Sequence, residues 1–310
     1  MQDMRKDPLR FFRRVRLGPG EMARVSQITR GNGTSIILPY DQFIEHDCRH
    51  LEAESDAGNP DYIMELGIDL GFNAVAVHYG VARRFWTKTE GRIPLILKVN
   101  GKTSIPSDAQ ALSTATSFVE DAVRIGATGI GYTLYYGSPR QDEDLPQMAG
   151  VRAACERFGL PLIVWAYPRG EAIDAKGGKE TSYALESAAR LAVEMGATIV
   201  KSNLPKAAKP DFVKNEKVPK YYRELEEQLL RLDPAAQAAE RARRVVKAAT
   251  GIPVLFSGGE GASTETVIEN AKACVAGGCF GFIIGRNMWK RTKPKAQEIV
   301  TEVTRLLDAV

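Results

Sequence analysis

Lys201 closes the run Ala197-Thr198-Ile199-Val200. An amine emerging from an apolar interior is poorly solvated, which disfavours its charged form and makes it able to attack a carbonyl and form a Schiff base. In the same place a lysine can also run its stem along apolar surface and hold its head in water. Trp165 and Tyr167 stand two apart in Pro161–Tyr167, so on a strand they share a face. A buried tyrosine hydroxyl needs a partner and can move a proton, although paired aromatics also serve as packing. Asp41 ends the apolar run 35–41, where an unpaired carboxylate would be costly. Lys201 is the obvious cation to pair with it, and a turn cap is the alternative role.

Two glycine-containing turns add a second kind of chemistry. Ser257-Gly258-Gly259 follows Pro253–Phe256, and Gly285-Arg286 follows Gly281–Ile284. Small residues let backbone N–H groups approach an anion, and Arg286 adds charge, so the pair reads as a phosphate site. Tight-turn geometry alone would also call for these glycines. Lys98, Arg140 and Arg169 are open candidates for a second phosphate. His46, Cys48 and His50 lie close together, but their spacing fits no common zinc pattern and His78 is the only other histidine, so no metal is expected.

These residues need elements to position them. Eight short apolar, β-branched runs recur along the chain, at 35–41, 73–78, 94–100, 129–136, 161–167, 197–202, 253–259 and 281–286, with segments of helical spacing between them. Several of those segments end in glycine, at Gly126, Gly159 and Gly196, as helix C-caps do. Eight βα units whose strands end in polar residues predict a (β/α)8 TIM barrel over 35–310, preferred to a doubly wound open sheet, with residues 1–34 as an N-terminal arm packing on the barrel or on a neighbouring subunit. The charged stretch 202–251, with predicted helices near 219–231 and 235–249, reads as an elaborated βα unit.

Composition narrows the class. The 310 residues are 44% hydrophobic and 26% charged, with a net charge of +4, which suits a folded chain and gives little pull toward nucleic acid. The one local excess, Arg5, Lys6, Arg10, Arg13, Arg14 and Arg16, accompanies no nucleic-acid motif and reads as a solvated or subunit-facing segment. Charged residues interrupt every apolar stretch, so no membrane span is expected. The basic N-terminus lacks the apolar core of a secretory signal and carries Asp3 and Asp7, so a cytoplasmic location is expected. Four cysteines without a C-x-x-C pair predict reduced thiols.

The motifs taken together resemble a known family. The order D-Q-x-x-E-H after the first run, Y-Y-G-S after the fourth, W-x-Y in the fifth, I-V-K-x-x-L-P at the sixth, S-G-G-E after the seventh and G-R after the eighth resembles the archaeal-type class I fructose-bisphosphate aldolases, a family also found in bacteria, from about Leu38 to about Lys290. The resemblance implies a metal-independent lyase needing no cofactor. Lys201 would be the Schiff-base nucleophile, Tyr167 the acid/base, Trp165 a supporting residue and Asp41 the carboxylate of the first strand. The substrate phosphate would lie on Ser257, Gly258, Gly259, Gly285 and Arg286. It also implies a homo-oligomer acting on a phosphorylated sugar. Phe43 departs from the pattern, since the family usually has Gly there. Rival readings are a Schiff-base aldolase or transaldolase-like enzyme for another phosphorylated sugar, an FMN-dependent barrel oxidoreductase holding the flavin phosphate on the same turns, and a non-catalytic sugar-phosphate binder.

Overall fold

The computed structural model describes residues 7–45, 47–48, 51, 53–258 and 261–309. Arg5, Lys6, His46, His50 and Gly259 lie outside that set. The barrel strands are β1 (Ser35–Tyr40), β2 (Ala74–His78), β3 (Leu95–Lys98), β4 (Gly129–Tyr136), β5 (Leu162–Pro168), β6 (Ile199–Ser202), β7 (Val254–Ser257) and β8 (Gly281–Ile283). Each pairs in parallel with its sequence neighbour, and β1 pairs with β8, which closes the barrel. Seven of the eight apolar runs read from the sequence contain one of these strands, and the fifth, 161–167, falls one residue short of the end of β5 at Pro168.

A pleated strand sends successive side chains to opposite faces, and closure turns one face inward. The buried side chains divide accordingly. Ile37, Ala74, Ala76, Ile96, Ile163, Trp165, Ile199, Leu255 and Ile283 form an inner cluster. Their strand neighbours, among them Leu38, Val75, Leu97, Val164, Val200 and Phe256, belong to a second cluster shared with the surrounding helices. Two residues beyond the last apolar inner position on β2, β3, β5, β6, β7 and β8 stand His78, Lys98, Tyr167, Lys201, Ser257 and Gly285. The inner row therefore becomes polar at the C-terminal mouth, where barrels of this kind build their sites.

The N-terminal segment closes the opposite end. Phe12, Val25 and Ile28 complete the inner cluster, and Phe11 and Phe12 meet Phe280 edge-on with centroids 5.6 and 5.3 Å away. Two of the basic residues of this segment are occupied locally: Arg13 pairs with Asp7 at 2.6 Å, and Arg10 lies over the Phe11 ring.

The helices begin and end as their sequences ask. Thr181, Asp233 and Ser263 cap with side-chain oxygens, each accepting from a backbone N–H in the first turn. Gly126 and Gly159 take left-handed φ values of 77° and 64° at C-caps, a conformation that costs glycine little. The extension after β6 is tied to the barrel wall by buried ion pairs. Arg241 makes two bonds to Glu226, at 2.8 and 2.7 Å, and Arg244 makes two to Glu186, at 2.8 and 2.9 Å. Those pairs join the helices Lys220–Leu229 and Pro234–Ala248 to the helix Ser182–Glu194.

Cys155, Cys274 and Cys279 are buried packing residues, Cys48 is exposed, and all four are free. Phe280 has no exposed surface. Phe280→Ala opens a cavity between the barrel floor and the N-terminal segment, with an expected loss of about 3–5 kcal/mol in denaturant unfolding. An unchanged unfolding midpoint would mean that the floor is not part of the cooperative core.

Candidate active site

Lys201 reaches the mouth on β6, between Trp165 of β5 and Leu255 of β7. It is 6% exposed. Its Nζ donates to the Tyr167 hydroxyl and lies 5.2 Å from the Trp165 ring centroid. The predicted shared face of Trp165 and Tyr167 is the inner one.

A second lysine lies deeper. Lys98 of β3 is completely buried. Its Nζ donates to Thr133 Oγ1, lies 4.6 Å from the Trp165 centroid, and stands 4.0 Å from Asp41 and 3.6 Å from Glu45. Gly131 makes room for this arrangement, since a Cβ there would fall 2.8 Å from Lys98 Cδ and 2.9 Å from the Trp165 ring. The cation in contact with Asp41 is therefore Lys98, and Lys201 acts on Asp41 from farther away. Strand-end position alone does not tell which of two inner lysines leans toward β1.

Burial divides the titrations. It pushes the Lys201 amine down to about 8; Asp41 and Glu45 oppose the shift, while Arg286 and Arg169 reinforce it. The Tyr167 phenol is driven well above its ordinary value by burial, with the Asp41 charge adding to the effect. For Asp41, burial would raise the pKa, but Lys98, Lys201 and His78 outweigh it and hold the carboxyl below its usual range. Glu45 is raised to about 6 by burial against the pull of Lys98, with Asp41 adding to the rise. Burial, with Lys98 nearby, lowers His78 to about 4. At neutral pH the mouth thus holds an amine within reach of its neutral form, a protonated phenol, an ionised Asp41 and an uncharged imidazole.

The turns after β7 and β8 are built together. Ser257 Oγ donates to Asn203 Oδ1, and Asn287 Nδ2 donates to the Gly258 carbonyl at 2.7 Å. Gly258 and Gly285 are close approaches: added Cβ atoms would meet Ile284 at 2.7 Å and the Pro39 carbonyl at 3.0 Å. Arg286 starts the short helix Arg286–Trp289, near enough for its charge to depress the Lys201 amine.

The three candidates for a second phosphate separate clearly. Lys98 is interior and matched with acids, and Arg140 is a surface residue bound through two nitrogens to Glu143 at 2.7 and 2.6 Å. Arg169 instead lies over the Tyr167 and Tyr135 rings, at 5.4 and 5.6 Å. Phe43 does not fill the site in place of the expected Gly. Its ring packs edge-on against Tyr40, 5.4 Å away, on the outer cluster. Glu45, His78, Thr133 and Asn203 were not singled out as candidates from the sequence. Glu45 and His78 carried a usable signal, the first one helical turn beyond Asp41 and the second at the end of a β run.

An amine made nucleophilic by burial and in contact with a buried phenol, at the mouth of a (β/α)8 barrel, defines an enzyme of the Schiff-base class. The chain belongs to the DeoC/LacD family of aldolases, whose family model matches residues 35–291. It is 33% identical over 260 residues to the class 1 fructose-bisphosphate aldolase of Thermoproteus tenax, covering 84% of each chain. It is 26% identical over 271 residues to the enzyme of that name from Halobacterium salinarum, covering 87% of this chain and 89% of the other. A solved archaeal fructose-1,6-bisphosphate aldolase with its catalytic Lys covalently bound to the carbinolamine intermediate superposes with a TM-score of 0.75 at 29% identity, over 93% of this chain and 99% of that one. A solved Schiff-base-forming fructose-1,6-bisphosphate aldolase gives 0.76 at the same identity and coverage.

Two outcomes follow from the electrostatics. Because the amine is depressed to about 8, the rate of borohydride trapping with a carbonyl ligand rises with pH and levels off above that value. A rate still climbing at about pH 10 would mark an ordinary lysine. Lys98→Met leaves Asp41 and Glu45 without their buried cation and costs about 3–5 kcal/mol in urea unfolding. Adding Glu45→Gln recovers part of that loss, and a strictly additive double variant would show that the two groups are not coupled.

Proposed function

We propose that this chain is a class I aldolase that reversibly cleaves fructose 1,6-bisphosphate into dihydroxyacetone phosphate and glyceraldehyde 3-phosphate, with Lys201 as the Schiff-base nucleophile. The observation that carries the reading is the depressed Lys201 amine touching Tyr167, with Asp41 held ionised nearby.

Lys201 Nζ attacks the C2 ketone and, with loss of water, forms a protonated imine. The imine draws the electron pair of the C3–C4 bond as that bond breaks. Cleavage requires removal of the C4 hydroxyl proton. Asp41, ionised, suits that task through a water molecule. Glyceraldehyde 3-phosphate leaves, and Tyr167, held protonated, suits delivery of a proton to the remaining enamine carbon. Hydrolysis of the imine releases dihydroxyacetone phosphate and restores the amine. Trp165 offers its ring face to the nitrogen, which favours the cationic imine. Ser257, Gly258, Gly259, Gly285 and Arg286 would hold a substrate phosphate through backbone N–H groups and the guanidinium. The reading includes a cytoplasmic location and a homo-oligomeric state, both taken from the family resemblance. Among the described residues no helix is long and apolar enough to cross a membrane.

The test is incubation with fructose 1,6-bisphosphate or dihydroxyacetone phosphate, in EDTA and borohydride, followed by peptide mass spectrometry. The expected result is a stable adduct on Lys201 that Lys201→Met abolishes. Tyr167→Phe should still form the adduct while kcat falls by roughly 10²–10⁴. Folded protein that gives no adduct with either ligand would sink the proposal.

A further inference from the structure

Glu45 takes no part in the steps above, although it is built into the same layer. It ends the helix Gln42–Glu45, one turn beyond Asp41, and its backbone N–H donates to the Asp41 carbonyl at 3.2 Å. Lys98 Nζ stands 3.6 Å from Glu45 Oε1 and 4.0 Å from Asp41 Oδ2. Two carboxylates therefore share one ammonium, which is itself completely buried. Glu45 Oε1 is shielded from water and accepts no hydrogen bond among the described residues. A buried carboxylate oxygen without a donor is unfavourable, and taking up a proton relieves it.

We propose that Glu45 is the proton store of the reaction: it holds the proton that Asp41 removes from the C4 hydroxyl and returns it to Tyr167 once Tyr167 has protonated the enamine. This rests on the aldolase reading above. Cleavage leaves the hydroxyl proton on Asp41 and the electron pair of the broken C3–C4 bond in the enamine. Asp41 is a poor holder of that proton, because Lys98, Lys201 and His78 keep its carboxyl below the usual range. Lys98, beside both acids, gives one proton to Glu45 as it takes the one on Asp41, and ends as the ammonium it began as. Glu45 is the better acceptor of the two. Burial raises it to about 6 against the pull of Lys98 and Lys201, with the Asp41 charge adding to the rise. Tyr167 then gives its proton to the enamine carbon and is left as a phenolate. Burial makes that phenolate a far stronger base than the Glu45 carboxylate, so it recovers the stored proton and Glu45 is ionised again. One proton leaves the hydroxyl and one joins the carbon, so the circuit closes.

The groups that surround the store are those the circuit needs. Asp41 of β1, Lys98 of β3 and Lys201 of β6 act on Glu45 directly. Its own charge is felt by Tyr135 of β4 and Tyr167 of β5. His78 of β2 does not compete for the proton, since burial and Lys98 lower it to about 4. The store must be empty when cleavage begins, so the reaction needs Glu45 ionised and is impaired as the pH falls through its pKa.

The test is the pH dependence of kcat for fructose 1,6-bisphosphate cleavage, which reports the enzyme with its substrate already bound. Lys201 is then engaged in the imine, and its amine titration drops out of the profile. In the unaltered protein kcat is expected to fall as the pH drops through about 6. Glu45→Gln is expected to lose that acid limb and to lower kcat at neutral pH by roughly 10²-fold, while borohydride trapping of dihydroxyacetone phosphate at about pH 9 is unchanged. Glu45→Asp keeps a carboxyl and is expected to keep the limb with a smaller loss. An unchanged kcat in Glu45→Gln, or an acid limb in that variant equal to the unaltered protein's, would overturn the store. So would a Glu45→Asp variant as slow as Glu45→Gln and equally without the limb, which would make Glu45 a spacer. Failure of the aldolase reading itself has a different signature, the absence of a borohydride-trapped Lys201 adduct in the unaltered protein.

Discussion

The structure depends on the two-residue period of strands closed into a barrel. Closure gives every strand an inside and an outside, so one step along the chain exchanges the two environments. Ile199 is inside, Val200 outside and Lys201 inside again, and the same alternation carries Lys98, Tyr167 and Ser257 inward from their own strands. Five strands turn polar at their C-terminal ends, on β2, β3, β5, β6 and β7, where the apolar inner residues run out. The polar layer is the next layer of the barrel core, built with side chains that water would otherwise solvate.

That origin explains the electrostatics. A layer carved from the core is dry, and dryness penalises every charge in it. The penalty depresses the Lys201 amine and keeps Tyr167 protonated. It would also raise the Asp41 carboxyl were the positive charges of Lys98, Lys201 and His78 not set against it. The two inner lysines therefore serve opposite ends. Lys98 is locked among Thr133, Trp165, Asp41 and Glu45 and supplies fixed charge, while Lys201, nearer the opening, is left with a proton it can lose.

The same dryness does not reach the rim. Lys179 and Asp108 are half exposed, and their pairing with Arg169 and Lys102 is a network in contact with water. Charges there cost little to hold and little to rearrange.

Much of this is legible in the sequence. Short β-branched runs between helical segments are a local signal, set by chain stereochemistry and by the need to bury apolar faces, and each of the eight runs marks one of the eight strands. Lys201, Trp165 and Tyr167 were legible because inward parity follows from counting by two along one strand. The tertiary structure alone decided relations between strands. That Asp41 meets Lys98 depends on how β1 and β3 tilt across the mouth, and that Phe43 turns away to Tyr40 depends on the path of the first loop. Asp108, Lys102, Arg169 and Lys179 are spread over residues 102–179 and become one cluster only when the loops after β3 and β5 fold over the same edge of the barrel. Period along a strand is written in the order of residues, whereas distance across a barrel is a property of its closure.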